Sequence, residues 1–100
     1  MPNPLFPVSF EDFSIPAPFY FLSHFHRDHL RGLKPGFAGG KIICTEITAR
    51  YLSYFYQVSS DFLMPLPFEK PFELMEGWQG ILYSANHSLG SAMMVLSREN

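Results

Sequence analysis

The sequence predicts an α/β fold in which short buried strands carry a flanking helix and deliver polar, metal-competent side chains at their ends. Three observations lead there. Short apolar runs bounded by Pro and Gly recur along the chain, at residues 6 to 10, 18 to 23, 41 to 45, 81 to 86 and 91 to 97. Between the third and fourth of them, residues 45 to 56 read as a capped amphipathic helix. Finally, "FLSHFHRDHLRGL" places three histidines and an aspartate within six positions, directly after an apolar run, and "ILYSAN" likewise ends on His87.

Taken in order, "PFYFLS" is bounded by Pro16 and Pro18 and stops where the histidines begin, so the cluster sits on a strand-to-loop junction. "HLRGL" allows at most one helical turn, and "KPGFAGG" (34 to 40) is a loop by its Gly and Pro content. "KIICT" follows as a third strand. Thr45 is placed to cap the helix, with Ile47, Tyr51 and Phe55 on one face at i, i+4 and i+8 and Glu46, Arg50, Ser53 and Gln57 opposite. On that pattern the tyrosines of "YLSYFY" pack into the core. Pro65, Pro67, Pro71 and Gly77 limit residues 58 to 80 to short strands and turns, and "SAMMVLS" is the return strand of a hairpin across "HSLG".

Composition bounds the function. A chain of 100 residues with 47% hydrophobic content and eleven Phe has material for one small core, burying about 60–65% of its unfolded surface. A net charge of −2 excludes a global basic field, so an anionic partner must be drawn by a local patch. The lone Cys44 excludes an internal disulfide and fits a reducing compartment. The start "MPNPLFPVSF" has no signal-peptide pattern, and no apolar run reaches the ~18–20 residues of a membrane span. The expectation is a soluble, intracellular protein without a membrane partner.

Crowded imidazoles and carboxylates at the end of an apolar strand cost free energy unless they are hydrogen-bonded, paired or metal-bound. In H-x-H the strand period of two sets His24 and His26 on one side of an extended chain, where they can share an ion. Asp28 and His29 lie a turn further on, within reach of a second ion, and His87 is a further candidate ligand. Two metals ~3.5–4 Å apart would serve a hydrolytic displacement. Neither a Gly-x-Ser-x-Gly turn nor a phosphate-binding P-loop is present.

Three blocks, "YFLSHFHRDHLRGL", "IICTEITARYL" and "LYSANHSLGSAMMVL", resemble the metallo-β-lactamase-fold DNA cross-link repair nucleases of the Artemis and Apollo type, and are closest to Apollo. The resemblance covers about residues 6 to 97, and His87-Ser88-Leu89-Gly90 stands where the family has His-Cys-Pro-Gly. It implies the N-terminal part of an αβ/βα sandwich, with a mixed sheet and flanking helix, and residues 1 to 100 forming one partial domain. Family members continue into a Gly-Asp segment, whose aspartate bridges the metals, and into the β-CASP region.

By the same resemblance, His24, His26 and His87 bind one zinc, Asp28 and His29 contribute to a second and act in catalysis, and a metal-activated water attacks a DNA phosphodiester. Asp12 matches an early aspartate that supports the ligands from behind, with Glu11 the competing candidate. Arg27, Arg31, Lys34 and Lys41, four of the seven basic residues, are candidates to hold phosphates. The implied function is 5′→3′ exonuclease action in nuclear repair of interstrand cross-links and double-strand breaks, extending to telomere ends, on single-stranded DNA or 5′ ends.

The 100 residues by themselves are expected to hold zinc incompletely and to be inactive. "ILYSAN" and "SAMMVLS" are expected to lack a partner sheet. Two other readings stay open: a truncated or diverged non-catalytic metal-binding or interaction protein, and a hydrolase of the same fold acting on RNA or a small ester.

Overall fold

The computed structural model describes residues 7–25, 30–85 and 91–98. Strands β1 (Val8–Phe10), β2 (Phe19–Phe21), β3 (Lys41–Cys44) and β4 (Leu63–Pro65) lie in that order in a parallel sheet. The helix α1 (Glu46–Tyr56) connects β3 toward β4, followed by a short 3-10 turn at Ser60–Phe62. Strands β5 (Phe72–Met75), β6 (Trp78–Ser84) and β7 (Ala92–Arg98) form a separate antiparallel sheet. Among the described residues this is an α/β sandwich of two sheets and one α-helix, as the sequence predicts, with parallel and antiparallel pairing segregated between the sheets.

Alternation along the parallel strands builds two cores, because successive side chains leave a strand on opposite faces. Tyr20, Leu22, Ile42 and Cys44 face the layer formed by α1 and the 30–37 loop, where they meet Phe13, Leu30, Leu33, Ala49, Leu52 and Val58. Val8, Phe21 and Ile43 face the other way and pack on Leu74, Leu82 and Ala92 of the antiparallel sheet. β6 and β7 therefore do have a partner sheet within these residues, contrary to expectation, and Leu82 is fully buried. The parallel sheet serves both layers because its strands are apolar on both faces. The outward face of the hairpin remains exposed: Ile81 pairs with Val95 and Tyr83 with Met93, and Met93 and Val95 are each more than half exposed.

Thr45 caps α1 as its sequence position predicts, its hydroxyl accepting from the Thr48 N–H. The buried stripe is different from the one expected. Thr48, Ala49 and Leu52 face the sheet, while Tyr51 and Phe55 are exposed and Ile47 is half-buried. Small side chains at 48 and 49 let the helix settle on the sheet, nearest β4, a closeness that a Tyr51–Phe55 face would prevent. No helix among the described residues is long and apolar enough to cross a membrane.

Candidate functional site

Chemistry on a parallel sheet gathers where the strands end and loops begin. Here β1 runs into Glu11, β2 runs into Ser23 and His24, and β6 runs into Ala85 opposite Ser91, which leads into β7. Ser23 joins all three. Its N–H donates to Glu11 Oε1 at 2.7 Å, its carbonyl accepts the Ala92 N–H at 2.8 Å, and its hydroxyl lies 3.0 Å from His24 Nδ1. The Ala85 N–H in turn donates to the Ser91 carbonyl at 3.2 Å, closing the hairpin beside that junction. The two segments that carry the predicted histidines are thereby fastened to one another at one end of the sandwich.

The contact at His24 Nδ1 suits a ligand. When Nδ1 donates to the Ser23 hydroxyl, the lone pair lies on Nε2, one of the two nitrogens through which histidine ligates a metal. His24 is half-buried. His26, Asp28, His29 and His87, together with Arg27, lie outside the described residues. Among the described residues, no three His, Cys, Asp or Glu side chains cluster with metal-binding geometry.

The two acids after β1 part ways. Asp12 turns back on its own loop, accepting from both the N–H and the hydroxyl of Ser14. The Ser14 hydroxyl and then the Ser14 N–H hold its carboxyl below the ordinary carboxylate range; burial opposes them slightly and the Arg31 charge adds a smaller pull downward. Glu11 reaches the strand end beside His24 instead, and it does so from a left-handed backbone, φ 64°. Such a conformation is disfavoured for a residue with a Cβ and persists where surrounding contacts impose it. Here the Glu11 N–H donates to the Phe21 carbonyl at 2.9 Å. It is therefore Glu11, the competing candidate, that touches the His24 segment.

The basic candidates separate as well. Arg31 is exposed beside the Glu11–Phe13 turn, where its carbonyl accepts the Phe13 N–H at 2.8 Å. Lys34 is exposed on the turn that Gly36 fastens to the end of α1 through its N–H to the Tyr56 carbonyl, 2.7 Å. Lys41 opens β3, opposite Phe19 at the start of β2, which is the far end of the sheet from Ser23. The role of Ser23 carries no sequence signal, because it is performed largely by backbone groups. Phe25, between the two histidines of H-x-H, likewise gave no signal, and the structure lays its ring against Phe55, Tyr51 and Tyr56.

Comparison with known proteins adds the following. No family model matches the chain. It is 41% identical over 76 residues to the DNA cross-link repair protein pso2/snm1 of Schizosaccharomyces pombe, covering 76% of this chain and 13% of that protein. It is 35% identical over 81 residues to the human DNA cross-link repair 1A protein, covering 81% of this chain and 8% of that one. To the 5′ exonuclease Apollo of Gallus gallus it is 33% identical over 79 residues, 79% of this chain and 17% of that protein. The chain thus spans less than a fifth of the length of these curated relatives.

Proposed function

We propose, because this chain belongs to the DNA cross-link repair protein family, that it is the metal-holding first part of the metallo-β-lactamase sandwich of a nuclear 5′→3′ DNA exonuclease. One observation carries most weight. The Ala92 N–H to Ser23 carbonyl bond joins the hairpin that leads to His87 with the strand end that bears His24, although the two lie far apart in the sequence.

His24, His26 and His87 would hold one zinc, and Asp28 and His29 would contribute to a second. Zinc held there would supply Lewis acidity toward a phosphodiester and water of lowered pKa. The chain's own groups do the positioning. Ser23 orients the His24 ring through Nδ1, and Glu11 holds the Ser23 N–H so that the loop leaves β2 in a set direction. Arg31, exposed beside the turn after β1, would steady backbone phosphates, which fix register without reading sequence, and Arg27 is a further candidate by its sequence position. The substrate is single-stranded DNA or a 5′ end, and the setting is repair of interstrand cross-links.

Elemental analysis after dialysis tests this. Bound zinc is expected above the level of a His24→Ala/His26→Ala control, and zinc no higher than that control would sink the reading. A nuclease assay on 5′-phosphorylated single-stranded DNA, with RNA and a small ester alongside, separates the substrate classes. The 100 residues are expected to hydrolyse little or nothing. Robust zinc-dependent digestion of DNA lost in Asp28→Ala would show that they suffice by themselves, and digestion of RNA or ester alone would favour the other hydrolase readings.

A further inference from the structure

The exposed face of α1 is aromatic, and its rings run on to Phe25, the residue after His24. Tyr54 is 76% exposed, Phe55 42% and Tyr51 37%. Phe25 stacks on Phe55 with centroids 5.5 Å apart and planes at 25°, and it lies 5.3 Å from Tyr51. Tyr54 and Phe55 meet nearly at right angles, centroids 4.9 Å apart at 87°, and Tyr54 stays largely open to solvent. Phe25 is half-buried at the inner end of this row, with His24 directly before it in the chain.

From this we infer that Tyr51, Tyr54 and Phe55 form a stacking platform for the bases of single-stranded nucleic acid, leading from the outer face of α1 to Phe25 beside His24.

Three features favour bases over a polypeptide segment as the occupant. First, the large exposed side chains of this patch are all aromatic, whereas the aliphatic Leu52 of the same helix is fully buried. Aromatic rings interacting with flat π-faces are the sequence-tolerant way to hold single strands. Second, cations flank the row. Arg50 lies four residues before Tyr54, hence beside it on the helix surface, and Lys34 sits on the turn fastened to Tyr56. Arg50 is engaged with Glu46 at 3.1 Å, but both side chains are about three-quarters exposed, and such a surface pair is readily exchanged for a phosphate. Third, the row ends at the candidate site, so a strand lying on it would be led toward His24. The directional part of this inference rests on the nuclease reading; the stacking itself does not.

Anisotropy of a labelled oligothymidylate of about 12 nucleotides with the 100-residue chain tests the platform. Tyr54→Ala and Phe55→Ala are each expected to weaken binding by about 5-fold to 100-fold, and Tyr54→Phe to retain it. Ultraviolet cross-linking followed by peptide mapping is expected to place adducts within residues 51–55. No binding by the parent chain, or binding that the alanine variants leave unchanged, overturns the platform. A change in self-association alone also overturns it, because it would mark the rings as a protein contact. Ring-dependent binding without zinc would remove the nuclease reading and keep the platform, and zinc retention with ring-independent binding would do the reverse.

Discussion

The backbone N–H of Ser23 donates to Glu11 Oε1 at 2.7 Å, across twelve residues of sequence. The bond sets the direction in which the chain leaves β2 and therefore where His24 stands. Glu11→Gln weakens this acceptor, and Glu11→Gly removes it while relieving the left-handed φ of 64°. Both are expected to lower zinc affinity by about 10-fold to 100-fold, as loss of a ligand-orienting contact commonly does. Asp12→Asn, whose contacts lie with Ser14, is expected to change it by less than about threefold. Zinc retained against graded chelators measures all three, and a larger loss in Asp12→Asn would return the orienting role to Asp12.

Gly32 is required by close approach as well as by backbone angle. A Cβ there would sit 2.4 Å from the Ser14 nitrogen and 2.6 Å from the Phe13 carbonyl carbon, at φ +78°. Gly36 shares the left-handed angle, φ +76°, but a Cβ there would meet nothing within 4 Å. Gly36→Ala is therefore expected to cost about 1 kcal/mol from strain alone, and Gly32→Ala at least about 2 kcal/mol more from displaced backbone. Urea unfolding of the two variants provides the comparison.

Burial pushes the Cys44 thiol up to about 12. Since the folded value lies above the unfolded one, the folded state holds the proton longer. Stability from this group is complete below about pH 9 and is lost as pH rises toward about 12. Cys44→Ala is expected to lower stability at neutral pH by leaving space in the core, yet to flatten the alkaline decline relative to the parent. Alkylation of the native protein at pH 8 is expected to be slow and to accelerate on unfolding; rapid native labelling would contradict the buried placement.

The outward face of the β6–β7 hairpin presents Met93 and Val95 with Ile81 and Tyr83 beside them. Such a patch next to the exposed side of a seven-residue strand promotes association. Light scattering at micromolar concentration is expected to reveal oligomers, and a hydrophobic dye to bind. Met93→Lys/Val95→Lys is expected to reduce both without lowering the melting temperature by more than a few degrees, because the two side chains are more than half exposed. A monodisperse parent that binds no dye would show that this face is harmless.

By itself the sequence determined the order of strands and helix, the Thr45 cap, the pairing of β6 with β7, and the position of His24 just past the end of β2. These are local matters, set by apolar runs, Pro and Gly boundaries and hydroxyl capping, all of which act within a few residues. Which face of α1 is buried is not local. Ile47, Tyr51 and Phe55 make as good a stripe on paper as Thr48, Ala49 and Leu52, and the sheet surface chose the smaller side chains that could approach it. The same holds for the adjacent acids: only the backbone turn after β1, left-handed at Glu11, sends one carboxylate to Ser23 and leaves the other on Ser14. Ser23 shows the limit most plainly, since two of its bonds use N–H and C=O groups that every residue but proline possesses, and their partners lie twelve and sixty-nine positions away. Side-chain identity cannot announce such bonds; only the packing of two sheets against each other brings the partners together.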